Sequence, residues 1–236
     1  MSPVASILDA ILPDTCVGCA RPGGALCRPC LAALHNELPR RRDPTPRPRG
    51  LPPVTAAGAY AGTLRTALLS YKERGRTRLA EPLARLLAAA IVTAFCAAEV
   101  AGPIVIVGVP STARARRDRG HDHVETLAGA AVISLRAAGI PAVRLRALRR
   151  RGSVRDSAGL SADERAHNAG SAFVVRRRAR RDVRGRTVLV VDDIVTTGST
   201  AAAVTLALEA AGARVAGVAV VAATARRRLV NADVEV

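Results

Sequence analysis

The segment Thr187 to Thr200, TVLVVDDIVTTGST, constrains the fold of this chain more than any other stretch. Its apolar run, Thr187 to Val191, reads as a strand buried on both faces, the kind a parallel sheet requires. Two consecutive carboxylates, Asp192 and Asp193, stand at the end of that strand, where ligands of open α/β sheets bind. A turn of small hydroxyls and glycine, Thr196 to Thr200, opens a helical pattern, Ser199 to Ala211, that Gly212 ends. The first N–H groups of such a helix lack intrahelical partners. Together with the hydroxyls of Thr196, Thr197, Ser199 and Thr200 they form a cradle for a phosphate, and Gly198 lets the backbone approach it closely. Acids beside an anion cradle call for a ligand with hydroxyls as well as phosphate, which describes a ribose phosphate, with Mg²⁺ balancing the charge. A Walker-type loop is excluded, because no Gly-Lys-Ser/Thr follows and the acids precede the turn.

The rest of the chain is arranged around that segment. Residues 39–53, PRRRDPTPRPRGLPP, are rich in Pro and Arg and have no period, which marks a linker. Beyond it, apolar runs alternate with helical patterns in the manner of a parallel α/β sheet. Strands are expected at Val54 to Tyr60, Ile104 to Val109, Val143 to Arg146, Phe173 to Val175 and Val215 to Val221. Helices are expected from Thr63 to Glu73 and from Val124 to Ala138, and also where Leu79, Leu83, Leu86, Leu87, Ile91 and Phe95 recur at three- and four-residue spacing. Arg149 to Ser171 has little periodicity. Met1 to Pro13 reads as a short amphipathic helix; it lacks the positive start of an export signal and carries Asp9, with Asp14 just beyond it. The longest apolar runs, Leu86 to Ala98 and Val215 to Ala225, fall short of the ~18–20 residues a membrane span needs. A reducing cytoplasm is the expected location.

Before the linker, Cys16, Cys19, Cys27 and Cys30 form two CxxC pairs joined by a short loop containing Gly23 and Gly24. Each pair can aim two thiolates at one ion, and two pairs complete the tetrahedron that Zn²⁺ accepts. Four sulfur ligands leave no open position, so the expected role is structural. In a reducing compartment, spaced cysteines hold metal more often than they form disulfides. Cys96, beside Phe95 in a helical pattern, reads as a small core residue.

A formal net charge of +17 points towards polyanionic partners, because clustered cations attract phosphates and nucleic acid. Lys72 is the only lysine among the 36 basic residues, so an arginine-favouring composition inflates the total. The runs Arg40 to Arg42, Arg176 to Arg178 and Arg226 to Arg228 read as solvated surface. Tyr60, Tyr71, Phe95 and Phe173 are the only aromatics, too few for an extended base-stacking platform.

Val188 to Thr200 resembles the 5-phosphoribosyl-1-pyrophosphate (PRPP) motif of type I phosphoribosyltransferases at every position. The resemblance implies that Asp192 and Asp193 hold the ribose hydroxyls. It gives the 5-phosphate to Thr196, Thr197, Gly198, Ser199 and Thr200, with Ile194 and Val195 completing the binding stretch. More narrowly, the chain resembles the ComF family, which joins a small zinc module to this fold and is associated with DNA uptake in natural competence. The matching stretches are the four cysteines, Tyr60 to Arg76 with its YKERGR, VPSTARARRDRGHDHVETLA from Val109, and LRRRGSVRDSAGLSADERAHNAGSAF from Leu148. The fold expected is therefore a mainly parallel sheet flanked by helices over residues 54–236, preceded by a zinc-binding module at 1–38 and the linker at 39–53.

This sequence departs from the family at two places. His121, Asp122 and His123 stand where Phe-Asn-Gln is usual, and Ser157 stands where glutamine is common before the Gly-Leu pair. His121 and His123 read as a hydrogen-bonding element of a basic loop. Arg119, with Arg114, Arg116 and Arg117, offers a pyrophosphate clamp, since guanidinium binds phosphate bidentately. Lys72 supplies a compact ammonium. The implied reaction displaces pyrophosphate from C1 of PRPP by a nitrogen nucleophile, with Mg²⁺ on the leaving group. The alternative is a non-catalytic PRPP- or nucleotide-binding factor in competence. Weak single-stranded DNA binding and competence or DNA-processing partners belong to the same resemblance.

Overall fold

Strands made of Val, Ile and Ala without polar interruption need cover on both faces, and the chain supplies it by alternating them with helices. In the computed structural model, which describes residues 15–120, 122–151 and 172–224, the order begins with α1 (Arg28–His35), β1 (Arg40–Arg41), β2 (Val54–Ala59), α2 (Gly62–Glu73) and α3 (Ala80–Ala97). It continues with β3 (Ile104–Gly108), α4 (Ala113–Arg119), α5 (His123–Ala137), β4 (Ala142–Arg144), β5 (Leu148–Arg150) and β6 (Phe173–Val175). Last come α6 (Arg180–Val183), β7 (Thr187–Val195), α7 (Ser199–Glu209) and β8 (Arg214–Ala223).

Six strands form one sheet in the order β1-β2-β8-β7-β3-β4, parallel throughout except for β1. Leu189, Val191, Ala219 and Val221 point to the face covered by α2, α3 and α5. Val188, Val190, Val218 and Val220 point to the other, covered by α7 and the small β5–β6 hairpin. This is the mainly parallel, helix-flanked sheet anticipated from the sequence. Thr77–Ala97, a short 3₁₀ turn running into α3, is long and apolar enough to cross a membrane by length and composition. Its Leu83, Leu87 and Ile91 are fully buried against the sheet, which makes it a core helix.

Several elements differ from expectation. β7 runs four residues beyond Val191, because Asp192, Ile194 and Val195 keep pairing with Val220, Ala222 and Ala223 of β8. The basic stretch after Ser111 forms α4, whose N-cap is Thr112: its hydroxyl accepts the Ala115 N–H at 3.1 Å. Phe173–Val175 is a strand, but it pairs antiparallel with β5 outside the main sheet. Cys96 is exposed, since it lies in the last turn of α3 on the side away from the core. Arg42 and Arg176 are partly buried: Arg42 pairs with Glu37 at 2.9 Å, and Arg176 donates to the Leu148 carbonyl at 3.0 Å.

The Pro- and Arg-rich stretch lies against the sheet. Arg40–Arg41 pairs with β2, Asp43 accepts the Val54 N–H at 2.9 Å, and Leu51 is buried beneath α7. The cysteine module also docks on the main body. Ala25 is buried in one cluster with Leu64, Ala67 and Leu68 of α2, and the Arg76 guanidinium donates to the Thr15 carbonyl at 2.9 Å.

Candidate functional site

Successive connections leave the sheet in opposite directions at β3 and β7: β3 continues to β4 on one side, β7 to β8 on the other. A crevice forms at such a switch point, outside the carboxyl ends of the strands. Here it is a cleft of about 400 Å³. Its walls include Tyr60 after β2, Val109 to Thr112 after β3, and Asp192, Asp193, Thr196 and Thr200 from β7 and the start of α7. Lys72 and Glu73 enter from α2, His123 from α5 and Arg150 from β5.

Asp193 is 3% exposed and lies on the α2/α5 side of the sheet. Its Oδ2 lies 2.8 Å from Lys72 Nζ and 2.8 Å from His123 Nε2. Burial alone would raise this carboxyl; the His123 hydrogen bond and the Lys72 charge outweigh it and hold Asp193 down at about 2. The only lysine of the chain thus stands at the motif, where a compact ammonium fits beside a buried carboxylate. Tyr71, one residue earlier, donates its hydroxyl to the His123 carbonyl at 3.1 Å, and burial pushes its own proton affinity up to about 12.

Successive residues of a strand point to opposite faces, so the two acids of the motif are separated by their own backbone. Asp192 therefore has different neighbours. Burial first, and the adjacent Asp193 second, raise its carboxyl well above the ordinary range. Arg150 lines the same cleft, where burial lowers its guanidinium and Asp192 opposes that shift, while the Lys72 charge works against the rise at Asp192. The Arg150 guanidinium lies 4.8 Å from the Phe173 ring centroid, so the β5–β6 hairpin holds it in place. Sequence reading missed Arg150, since nothing in a run of arginines distinguishes the one that borders a cleft.

Thr196, Thr197, Ser199 and Thr200 are exposed at the opening of α7. Thr197 Oγ1 lies 3.1 Å from Ser199 Oγ and accepts the Ser199 N–H at 3.4 Å, which braces the turn. Gly198 adopts φ +79 and caps the helix. A Cβ there would lie 2.7 Å from Leu51 and 3.0 Å from Pro44, so the glycine is required by the covering stretch rather than by space for a ligand. Ile194 and Val195 lie in the strand and do not contribute to the turn itself. We expect Gly198→Ala to destabilise the protein by about 1–2 kcal/mol from the left-handed backbone alone. In a Leu51→Ala background, where the Leu51 contact is gone, Gly198→Ala should cost about the same backbone amount relative to Leu51→Ala alone, as read from urea unfolding midpoints.

Of Arg119, the structure describes only its place at the end of α4; Arg116 and Arg117 are exposed. His121, Ser157, Met1 to Pro13, Arg226 to Arg228 and most of Arg149 to Ser171 lie outside the described residues.

The sulfurs of Cys16, Cys19, Cys27 and Cys30 all lie within 4.8 Å of one another. A Zn–S distance of about 2.3 Å puts tetrahedral sulfurs about 3.8 Å apart, so the four fit one ion. The N–H groups of Gly18 and Cys27 each point at Cys16 Sγ from 3.3 Å, the outer hydrogen bonds a metal thiolate wants. Burial acts to raise the Cys16 thiol, but those N–H groups bring it down to about 6. Cys30, hydrogen-bonded to the other sulfurs, is pushed up to about 12. A dication would draw all four thiolates into ligation. Among the described residues no other group of three or more ligating side chains comes together.

No curated protein matches this sequence. Two solved structures show limited likeness. The allosteric regulatory enzyme of purine biosynthesis aligns at 21% identity and a TM-score of 0.34, covering 61% of this chain and 26% of its own. Adenine phosphoribosyltransferase from Leishmania tarentolae aligns at 18% identity and a TM-score of 0.35, covering 80% of this chain and 71% of its own. This chain thus spans about a quarter of the length of the first. The sequence model of the phosphoribosyl transferase domain matches residues 80–235, well over half of the chain and including both acids and the turn. With that match and the acid–turn–helix site at the sheet's switch point, the chain belongs to the phosphoribosyltransferase domain family.

Proposed function

We propose that this protein binds PRPP in the β2–β3–β7 cleft and transfers its phosphoribosyl group to a nitrogen acceptor, releasing pyrophosphate. The observation that carries this reading is the meeting, in one cleft, of two carboxylates and the exposed hydroxyls that open α7. Asp192 and Asp193 accept from the ribose hydroxyls, and the N–H groups and hydroxyls of Thr196 to Thr200 hold the 5-phosphate. Lys72 and His123 already flank Oδ2 of Asp193, which leaves its other oxygen to accept from a ribose hydroxyl. Bound with the pyrophosphate, Mg²⁺ would supply charge neutralisation for the leaving group.

In the transfer, the C1–O bond to pyrophosphate breaks with its electron pair leaving on oxygen. A C1–N bond forms from the acceptor's lone pair, and the nitrogen sheds a proton. The acids stabilise the positive charge that develops on the ribose, and Arg150 lies in the cleft beside Asp192 where an anionic group would sit. The closer likeness to ComF proteins, with a role in DNA uptake, rests on sequence resemblance and on the +17 charge.

A thermal-shift series tests the reading. Mg²⁺–PRPP at 100 times its Kd should stabilise the fold by about 2.7 kcal/mol, with ribose 5-phosphate giving less. Absence of any shift with millimolar PRPP would remove the proposal. Pyrophosphate release from PRPP with a panel of nitrogenous bases then separates transfer from a non-catalytic binding role.

A further inference from the structure

His123 stands at a position where the sequence departs from its family, and the structure links it to the site through a chain of contacts. Its ring is buried, 6% exposed, at the first turn of α5. Nε2 lies 2.8 Å from Asp193 Oδ2, and Nδ1 lies 3.1 Å from Ser111 Oγ. Ser111 Oγ donates in turn to Asp122 Oδ1 at 2.8 Å. Asp122 also accepts the Ser111 N–H at 3.2 Å and caps α5 by accepting the Glu125 N–H at 3.4 Å. Its oxygens are therefore surrounded by donors, as a carboxylate's should be.

Ser111 spends its single hydroxyl hydrogen on the short contact to Asp122. The Nδ1 edge of the His123 ring then meets the Ser111 oxygen, and its Nε2 edge meets Asp193 Oδ2. The charged and titratable groups around it are Asp193 and Asp192 of β7, Lys72, Tyr71 and Glu73 of α2, Asp122 before α5, and Arg150 of β5.

We propose that His123 is a positioning residue for Asp193. Held between Asp193 and the Ser111–Asp122 pair, it works with Lys72 to immobilise one carboxylate oxygen. It thereby sets the orientation of the acid towards the ribose. The inference rests on the PRPP reading of the site and adds the residue that prepares it. Glutamine can imitate half of the arrangement, presenting an amide N–H to Asp193.

The experiment measures Mg²⁺–PRPP affinity by calorimetry for wild type, His123→Leu and His123→Gln. We expect His123→Leu to bind about tenfold more weakly, in line with the loss of one hydrogen bond to a charged group, and His123→Gln to recover most of that loss. Leu and Gln variants equally weak, or a Leu variant as tight as wild type, would each overturn the proposal. Should His123→Leu fail to fold, Ser111→Ala replaces it and is expected to weaken binding about threefold, unchanged affinity counting against the clamp. If wild type itself ignores PRPP, the functional reading falls. The clamp is then judged in the free protein by the ¹³C carboxyl resonance of Asp193, which must move in Ser111→Ala or His123→Leu and stay near its place in His123→Gln.

Discussion

Asp193→Asn is expected to destabilise the free protein by about 3 kcal/mol, whereas Asp192→Asn, one residue away, is expected to stabilise it. The two acids differ because alternate strand positions give them opposite surroundings. Asp193 is 3% exposed and is the shared partner of Lys72 and His123; an amide would leave the Lys72 ammonium facing a neutral group in a buried site. Asp192 is penalised by burial and by Asp193 itself, so removing its charge relieves repulsion in the unliganded state. Both variants should lose PRPP affinity, because both lose a charged acceptor. Stabilisation of the free protein together with weakened binding at Asp192 would mark an acid kept for function.

The pH dependence follows from the same contrast. Asp193 sits at about 2 in the folded protein, below the roughly 3.9 of an unfolded aspartate. The stability it supplies is therefore complete above about pH 4 and lost as pH falls towards 2. Asp192 has the opposite sign: its raised value favours folding while it is protonated, and that contribution disappears as pH rises through the folded value. Urea midpoints between about pH 2 and 4 should fall for wild type and stay nearly flat for Asp193→Asn. Parallel acid limbs in the two proteins would show that the Lys72–Asp193–His123 cluster contributes nothing to stability.

Stripping the metal from the cysteine module is expected to lower Tm by on the order of 10 °C and to weaken PRPP binding. Structural zinc in small modules contributes about 10–16 kcal/mol of binding energy that is also folding energy. Loss of only about 4 kcal/mol is enough for the shift, at roughly 2–4 °C per kcal/mol in a chain of this size. Transmission to the site has a physical route through α2. A Cβ on Gly18 would meet both Cys30 Sγ and Thr63 Cγ2 at 2.8 Å, which shows how closely the module abuts the first turn of that helix. Arg76, just past the helix, is tied to Thr15. The last turn of α2 carries Lys72, so loosening either end frees the ammonium that pins Asp193. Coupling of this kind amounts to about 0.5–2 kcal/mol, or up to some thirtyfold in affinity. Metal analysis should give about one Zn²⁺ per chain, and Cys16→Ser should reproduce the effect of chelation. Unchanged Tm and unchanged PRPP affinity after verified metal loss would show that module and site are independent, as the Pro- and Arg-rich stretch between them suggests when read as sequence alone.

The features legible in the sequence were those whose chemistry is carried by neighbouring residues. Two CxxC pairs bring four thiols together through local turns, and an apolar strand followed by acids, hydroxyls and glycine keeps that order whatever surrounds it. Strand and helix periodicity is equally local, which is why α3 was found from the spacing of Leu83, Leu87 and Ile91, all of them fully buried. Tertiary structure decided what those groups do to one another. Two adjacent aspartates read as a single clamp until β7 continues to Val195, sends Asp193 to Lys72 and His123, and leaves Asp192 in the cleft that Arg150 also lines. Gly198 reads as room for a phosphate until Leu51 and Pro44 are found against it. Each of these contacts joins residues distant in the chain. No local pattern encodes such contacts, because burial, charge pairing and the protonation they impose depend on which elements the sheet order makes neighbours.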